Sequence, residues 1–288
     1  MALVLQTAIN GIIAGSLYAL IAMGFNLTFA TTRFFNLAHG SMAVVGGYLF
    51  YALSHKLGLG ILPAGLLGIA SSGVVSVLVN RVVFSPLHKR HATNLVKLLA
   101  SLGVMTIFQS LFAIIFGPQF QPLSRNDTLV RVMHVGTAAI SMTQLWTLAW
   151  AIFCALILFL LLRFTLFGLA MRAISDDEEV SEIVGVNTSR ITGFVFFMAG
   201  ALSGLAGILF GLDTGIDPNI GMAVLLKGII AAIIGGVGNV FGGFVGAFIL
   251  GFVENFGVLH IAAQWKDAIA FCVLILFLIF RPEGIFKR

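Results

Sequence analysis

The chain has few residues with which to do chemistry. Among 288 residues there are 11 Asp and Glu, and five of these, Asp176, Asp177, Glu178, Glu179 and Glu182, crowd into positions 176–182. It contains no G-x-x-x-x-G-K-[ST] phosphate loop, no G-x-S-x-G, no H-E-x-x-H and no C-x-x-C. We therefore expect no catalytic residue, no metal ligand set and no cofactor bound by this chain. Cys154 and Cys272 each sit inside an apolar run, which fits neither a disulfide framework nor a zinc site. His39 stands alone beside a polar break, where a structural hydrogen bond is the expected role. Ionisable residues at membrane depth are functional candidates by default. Here they are Arg33, Lys227 and Glu254, too few for the chain of acids and bases that an ion-coupled carrier needs. The energy source is then outside this chain.

The acid cluster is the most informative segment. Ser175 followed by Glu178 has the spacing of a capping box, so a helix is expected to start there. Acids in its first turn complement the positive end of the helix dipole, and Gly185 is placed to end it. Val180, Ile183 and Val184 fall at i, i+3 and i+4 and form one apolar stripe. A helix this short is marginal alone, and its stripe requires a groove on another molecule. Helices that rest on membranes carry Lys and Arg toward anionic lipid, and this one carries acids. Docking to a cytoplasmic protein through Asp176, Glu178, Glu179, Val180, Glu182, Ile183, Val184 and Gly185 is the expectation.

The elements holding this segment are greasy. The chain is 59% hydrophobic and 9% charged, against about 25% charged in an ordinary globular domain. That excludes a cytosolic enzyme, a secreted domain and a disordered chain. The net charge of +5 does not indicate nucleic acid, because Lys and Arg lie scattered at the ends of apolar runs. Spans of about 20 apolar residues cross a bilayer, and residues 3–25, 61–84, 98–116, 145–162 and 191–212 qualify. Residues 41–53 and 268–280 are shorter runs. Residues 223–256 are too long for one crossing and should be two, broken near 235–239. The N-terminal run lacks a basic flank and reads as a retained helix. Basic residues at 81–97, 163–190 and 281–288 place those loops and the C-terminus in the cytoplasm. The expected fold is an all-α, polytopic transmembrane bundle of eight or nine membrane segments. It forms a single domain over 1–288, with a cytoplasmic loop at 163–190 and an extracytoplasmic loop at 117–144.

Two segments, 31–47 and 235–246, mix Gly, Asn and small residues and read as discontinuous helices, the usual pointer to a transport pathway. Asn36, His39, Gly40, Gly238 and Asn239 are the pathway or gate candidates. G-x-x-x-G pairs such as Gly11–Gly15, Gly200–Gly204 and Gly242–Gly246 also suit close helix packing. A secondary carrier and a passive channel are alternatives, but neither accounts for the acidic helix.

Four blocks carry a resemblance. The first runs Asn10-Gly11, Gly15-Ser16-Leu17-Tyr18, Gly24-Phe25-Asn26-Leu27 and Asn36-Leu37-Ala38-His39-Gly40, with Met42 and Gly46-Gly47-Tyr48 after it. Next come Arg172-Ala173 and Gly185-Val186-Asn187, then Leu226-Lys227-Gly228 through Gly246 to Glu254, and last Arg281-Pro282-Glu283-Gly284-Ile285-Phe286. Together they resemble the branched-chain amino acid permeases of bacterial ABC importers, with Glu179-Val180-Ser181 standing where that family has Glu-Ala-Ala. The resemblance implies an ABC importer permease fold in the bacterial inner membrane. It also implies a second, homologous permease subunit, two cytoplasmic ATPase subunits that use ATP and Mg, and a periplasmic substrate-binding protein. The acidic helix would face the ATPase. Permeases for urea and short amides share these motifs and are the alternative substrate class.

Overall fold

The structure, a computed structural model, describes residues 2–123, 132–135, 138–259 and 261–286. Helix α1 (Ala2–Thr32) is 31 residues long, about 46 Å at 1.5 Å per residue, enough to cross the hydrocarbon core and continue past it. Its middle is apolar on every side, and Leu20, Ile21, Met23, Phe25 and Leu27 have no exposed surface. A helix of that kind belongs inside a bundle, and α1 is the axis on which the others pack. Helix α2 (His39–Tyr51) continues into a π-helical turn, Ala52–Lys56. Helix α3 (Ile61–Val79), a second π turn at Asn80–Phe84, and α4 (Ser85–Lys89) form one continuous rod. Helix α5 (Asn94–Phe116) is capped by the Thr93 hydroxyl, which accepts from the Val96 N–H.

A short antiparallel hairpin follows, β1 (Val132–Val135) with β2 (Ala138–Ser141). The all-α expectation left this segment as loop. Gln6 on α1 grips the hairpin from both sides of Ala139, accepting from its N–H at 2.8 Å and donating to its carbonyl at 3.0 Å. Of the expected loop at 117–144, residues 124–131 and 136–137 lie outside the described residues. Helix α6 (Met142–Phe164) opens on a capping box made by Ser141 and Gln144. Then come α7 (Leu166–Asp176), α8 (Glu178–Ile183), α9 (Thr188–Thr214), α10 (Ile220–Gly235), α11 (Val240–Gly257) and α12 (Lys266–Phe280).

Among the described residues, seven helices are long and apolar enough to cross a membrane: Leu3–Thr32, Ile61–Lys89, Asn94–Phe116, Met142–Phe164, Thr188–Thr214, Val240–Gly257 and Ala263–Phe280. Helices α2 and α10, with 13 and 16 residues, are shorter and walled in by protein, the setting in which short elements are tolerated at membrane depth. The expected total of eight or nine segments counts these two; length and composition alone support seven. The long apolar run does break where expected, between α10 and α11.

Glycine determines how closely the central helices approach. Helices α1 and α11 run antiparallel, Gly11 and Gly15 lying on the Gly251–Phe252 and Ala247–Phe248 backbone; a Cβ on Gly15 would come within 2.9 Å of the Phe248 Cα. On α2, a Cβ on Gly46 would lie 2.5 Å from the Gly204 Cα of α9. These contacts need bare backbone, the packing role that G-x-x-x-G spacing suggests. The outer helices α5, α6 and α12 are different. Ile114, Leu156, Ile279 and other large apolar side chains there are at least half exposed, a surface suited to lipid.

Candidate functional site

One end of the bundle gathers the charged loops. Helix α7 docks its C-terminus under the end of α1. Ser175 is buried, its hydroxyl donates to the Ala30 carbonyl at 2.7 Å, and its own carbonyl accepts from the Arg33 guanidinium. Ala30 is in the last turn of α1, whose carbonyls lack helical partners, and this demand explains a correction to the sequence reading. Ser175 does not cap the acidic helix. Its hydroxyl is used on α1, α7 runs on through Asp176, and the cap passes to Asp177, whose Oδ1 accepts from the Val180 N–H at 3.0 Å. Helix α8 therefore starts only at Glu178 and has six residues. Gly185, at φ +90°, ends it, and the Val186 N–H closes back on the Ser181 carbonyl at 3.0 Å.

The docking candidates lie at the surface of the charged end. Val180, Ile183 and Val184 are 55%, 83% and 71% exposed, so this stripe is left uncovered by the other described residues. Asp176, Glu179 and Glu182 are exposed around it. Glu178 faces His88 at 3.3 Å, and Glu182 accepts from the Thr188 hydroxyl.

The first break spans residues 33–38. Arg33 takes a left-handed φ of +55°, which turns the chain out of α1, and its N–H bonds to the Phe29 carbonyl at 2.9 Å. Ser101 of α5 holds the Leu37 N–H at 3.0 Å. His39 is buried against Gly24 of α1, with Nε2 3.2 Å from the Ile21 carbonyl, while Ser203 of α9 donates to the His39 carbonyl at 2.8 Å. Gly40 is a crossing point where α2 meets Gly221 of α10. Asn36 is buried, and its Oδ1 has no hydrogen-bond partner among the described residues. Thus His39 and Gly40 serve as joints between helices.

The second break, residues 236–239, is held by Asn26, which the sequence reading did not single out. The Asn26 Oδ1 accepts from the Gly238 N–H at 2.9 Å, and its amide donates to the Asn239 carbonyl at 2.8 Å. Asn239 then caps α11 through the Gly242 N–H at 2.9 Å. Ile285 and Phe286 donate their N–H groups to the Ile234 and Gly235 carbonyls at 2.9 and 3.1 Å. Asn26 is the one amide in the apolar stretch from Leu17 to Ala30, a visible signal, but its partners lie over 200 residues away. Gly238 and Asn239 border a cleft of about 550 Å³ whose walls include Ala30, Arg163, Arg172 and Ser175. The second break therefore lines a wide, open cleft at the charged end, with Arg163 and Arg172 set among apolar walls, and Asn36, His39 and Gly40 do not border it.

That difference can be measured. In a chain with Cys154 and Cys272 replaced by alanine, Asn239→Cys should react with a small polar thiol reagent. Ala38→Cys should not, since Ala38 is 1% exposed. Equal labelling of both would show that the first break also opens to water.

Lys227 and Glu254, the two ionisable candidates deeper in the bundle, are partners. Lys227 pairs with Glu254 and, at 2.8 Å, with Asp267; Tyr18 donates its hydroxyl to the other Glu254 oxygen at 2.8 Å. Glu254 has no exposed surface. Each charge is satisfied locally, which suits a structural joint between α1, α10, α11 and α12 better than ion coupling.

Comparison with known proteins agrees with this architecture. A family model described as branched-chain amino acid transport system / permease component matches residues 7–278. The chain is 29% identical over 297 residues to the high-affinity branched-chain amino acid transport system permease protein LivH of Escherichia coli K12, covering 99% of this chain and 96% of that one. It is also 29% identical over 299 residues to the corresponding permease protein BraD of Pseudomonas aeruginosa, with the same coverage. A probable LivH of Methanocaldococcus jannaschii is 30% identical over 208 residues, 69% of this chain and 63% of that one. No solved structure matches.

Proposed function

We propose that this chain, which belongs to the branched-chain amino acid transport permease family, is a pore-forming subunit of an ABC importer for branched-chain, hydrophobic amino acids. It lies as a multi-pass protein in the bacterial inner membrane, with the charged end and the C-terminus in the cytoplasm. A second, homologous permease subunit completes the pore. Two ATPase subunits bind below and use ATP and Mg, and a periplasmic binding protein delivers substrate from above. The domain is single, with residues 163–190 on the ATPase side and 117–144 on the outer side.

One observation carries the reading: α8 presents Val180, Ile183 and Val184 to the outside, ringed by acids, at the end where the basic loops gather. A carrier driven by an ion gradient has no use for such a helix, and Lys227 and Glu254, the ionisable candidates deepest in the bundle, are paired with each other. The cleft beside Gly238 and Asn239 is proposed as the cytoplasmic mouth of the pathway. The permease itself performs no covalent chemistry; its role is to change the side to which that mouth is open.

The test is uptake into vesicles holding the full complex. Labelled leucine should accumulate only with ATP and the binding protein, and urea should not. ATP-driven uptake of urea in place of leucine would move the assignment to the amide class, and leucine uptake without ATPase subunits would make it a channel or carrier.

A further inference from the structure

A second, smaller cleft, about 160 Å³, opens at the same end on the other side of α1. It lies between the end of α1, the π turn Asn80–Phe84 with α4, the start of α5, α8 and the start of α9. At 10–15 Å³ per water-sized probe this is room for about ten such probes, the scale of one small solute. Phe34 and Phe84, packed at 5.0 Å between ring centres, form its apolar wall.

Its polar walls are the unusual part. Lys97 is 8% exposed, and no carboxylate among the described residues is within ion-pair distance of it. Its polar contact is the Nδ1 of His88 at 3.5 Å. A buried ammonium without a counter-ion is costly. Asn80, 7% exposed, lines the cleft and makes no side-chain hydrogen bond among the described residues, so its amide is available there. It starts a π turn, a local distortion frequent at binding sites. Across the cleft Glu178 and Glu182 stand one turn apart on α8. Lys97 thus lacks an anion, the opposite wall carries two carboxylates, Glu178 facing His88 and Glu182 accepting from the Thr188 hydroxyl, and the floor is aromatic.

We propose that this cleft binds one free aliphatic amino acid from the cytoplasm. Its carboxylate meets Lys97 and Asn80, its ammonium meets Glu178 and Glu182, and its side chain lies on Phe34 and Phe84. Because two of those groups belong to α8, which His88 and Thr188 already hold, occupancy fastens α8 further to the bundle and slows transport when the imported product accumulates. The cytoplasmic placement and the substrate class rest on the function proposed above.

The experiment uses the complete complex in proteoliposomes, ATPase outward and leucine-loaded binding protein enclosed, with ATP hydrolysis as readout. Millimolar leucine added outside should lower the rate several-fold. Leucinamide, without the carboxylate, and 4-methylpentanoate, without the ammonium, should leave it unchanged. Lys97→Gln and Asn80→Leu should each raise the inhibitory leucine concentration about tenfold or more, the loss expected for a charged or buried hydrogen bond, with the uninhibited rate unaltered. If leucine does not inhibit a complex that transports it, or if neither variant shifts the inhibition, the proposal is overturned. Equal inhibition by 4-methylpentanoate would show a plain anion site and overturn it too. So would loss of ATPase subunits on Lys97→Gln, which would make Lys97 a docking cation. The ligand comparison on the unmodified complex decides the matter even where a variant fails to fold. Failure of the functional reading is seen separately, as absence of leucine uptake by the unmodified complex.

Discussion

Permease carrying Val184→Asp should reach the membrane at normal levels and lose its ATPase subunits. Val184 lies outside every helix long enough to cross the bilayer and is 71% exposed in the free chain, so the substitution disturbs neither insertion nor the bundle. In the proposed importer complex the same position would sit in a desolvated contact with the ATPase. A carboxylate placed there without a partner costs several kcal/mol, and each 1.4 kcal/mol is about tenfold in affinity. Val184→Ala removes only apolar area, about 1–2 kcal/mol, and should weaken the complex without dissolving it. Co-purification of the ATPase with tagged permease reads both, and uptake should fall in parallel. A Val184→Asp permease that retains its ATPase and transports normally would show that α8 is not the coupling element. The acid cluster would then need a different partner.

The second large effect is expected at Lys227. Lys227→Met leaves Glu254, with no exposed surface, without its ion-pair partner. Breaking a buried pair from one side costs about 3–5 kcal/mol, because the remaining charge is uncompensated. The permease should be scarce in membranes and melt well below the unaltered protein in detergent. The double variant Lys227→Met/Glu254→Gln removes both charges and keeps an oxygen for the Tyr18 hydroxyl, so it should recover most of the loss. Unchanged melting of Lys227→Met would mean that the pair is hydrated and energetically slight.

How far the sequence led can be judged from these same residues. The division of residues 223–256 into two helices was legible because Gly235, Gly236 and Gly238 around Asn239 concentrate chain-breaking residues in an otherwise uniform apolar run. The apolar stripe of α8 was legible because helical periodicity is local. The cap was misplaced for the opposite reason. Ser175 and Asp177 are both good caps, and the choice between them was made by the Ala30 carbonyl, 145 residues away in sequence. Likewise Lys227 and Glu254 could be flagged as expensive charges from composition, but their pairing depends on how α10 and α11 fold back on each other. Asn26 looked like one polar residue in α1 until its two hydrogen bonds placed it as the clamp of the second break. The π turns at Ala52–Lys56 and Asn80–Phe84 have no compositional mark at all; each sits within an apolar or amphipathic run that reads as ordinary helix.

A single residue, Asp177, joins α7 to α8, and Ser175 is bonded to the last turn of α1. Such a linkage has very little slack. One pair of backbone torsions separates the docking stripe from a helix whose end is fastened to α1, on which the rest of the bundle packs. A displacement imposed at Val184 is therefore passed through α8, Asp177 and Ser175 to the end of α1. The power stroke of an attached motor would act first on the axle of this protein, and the lipid-facing helices would follow as passengers.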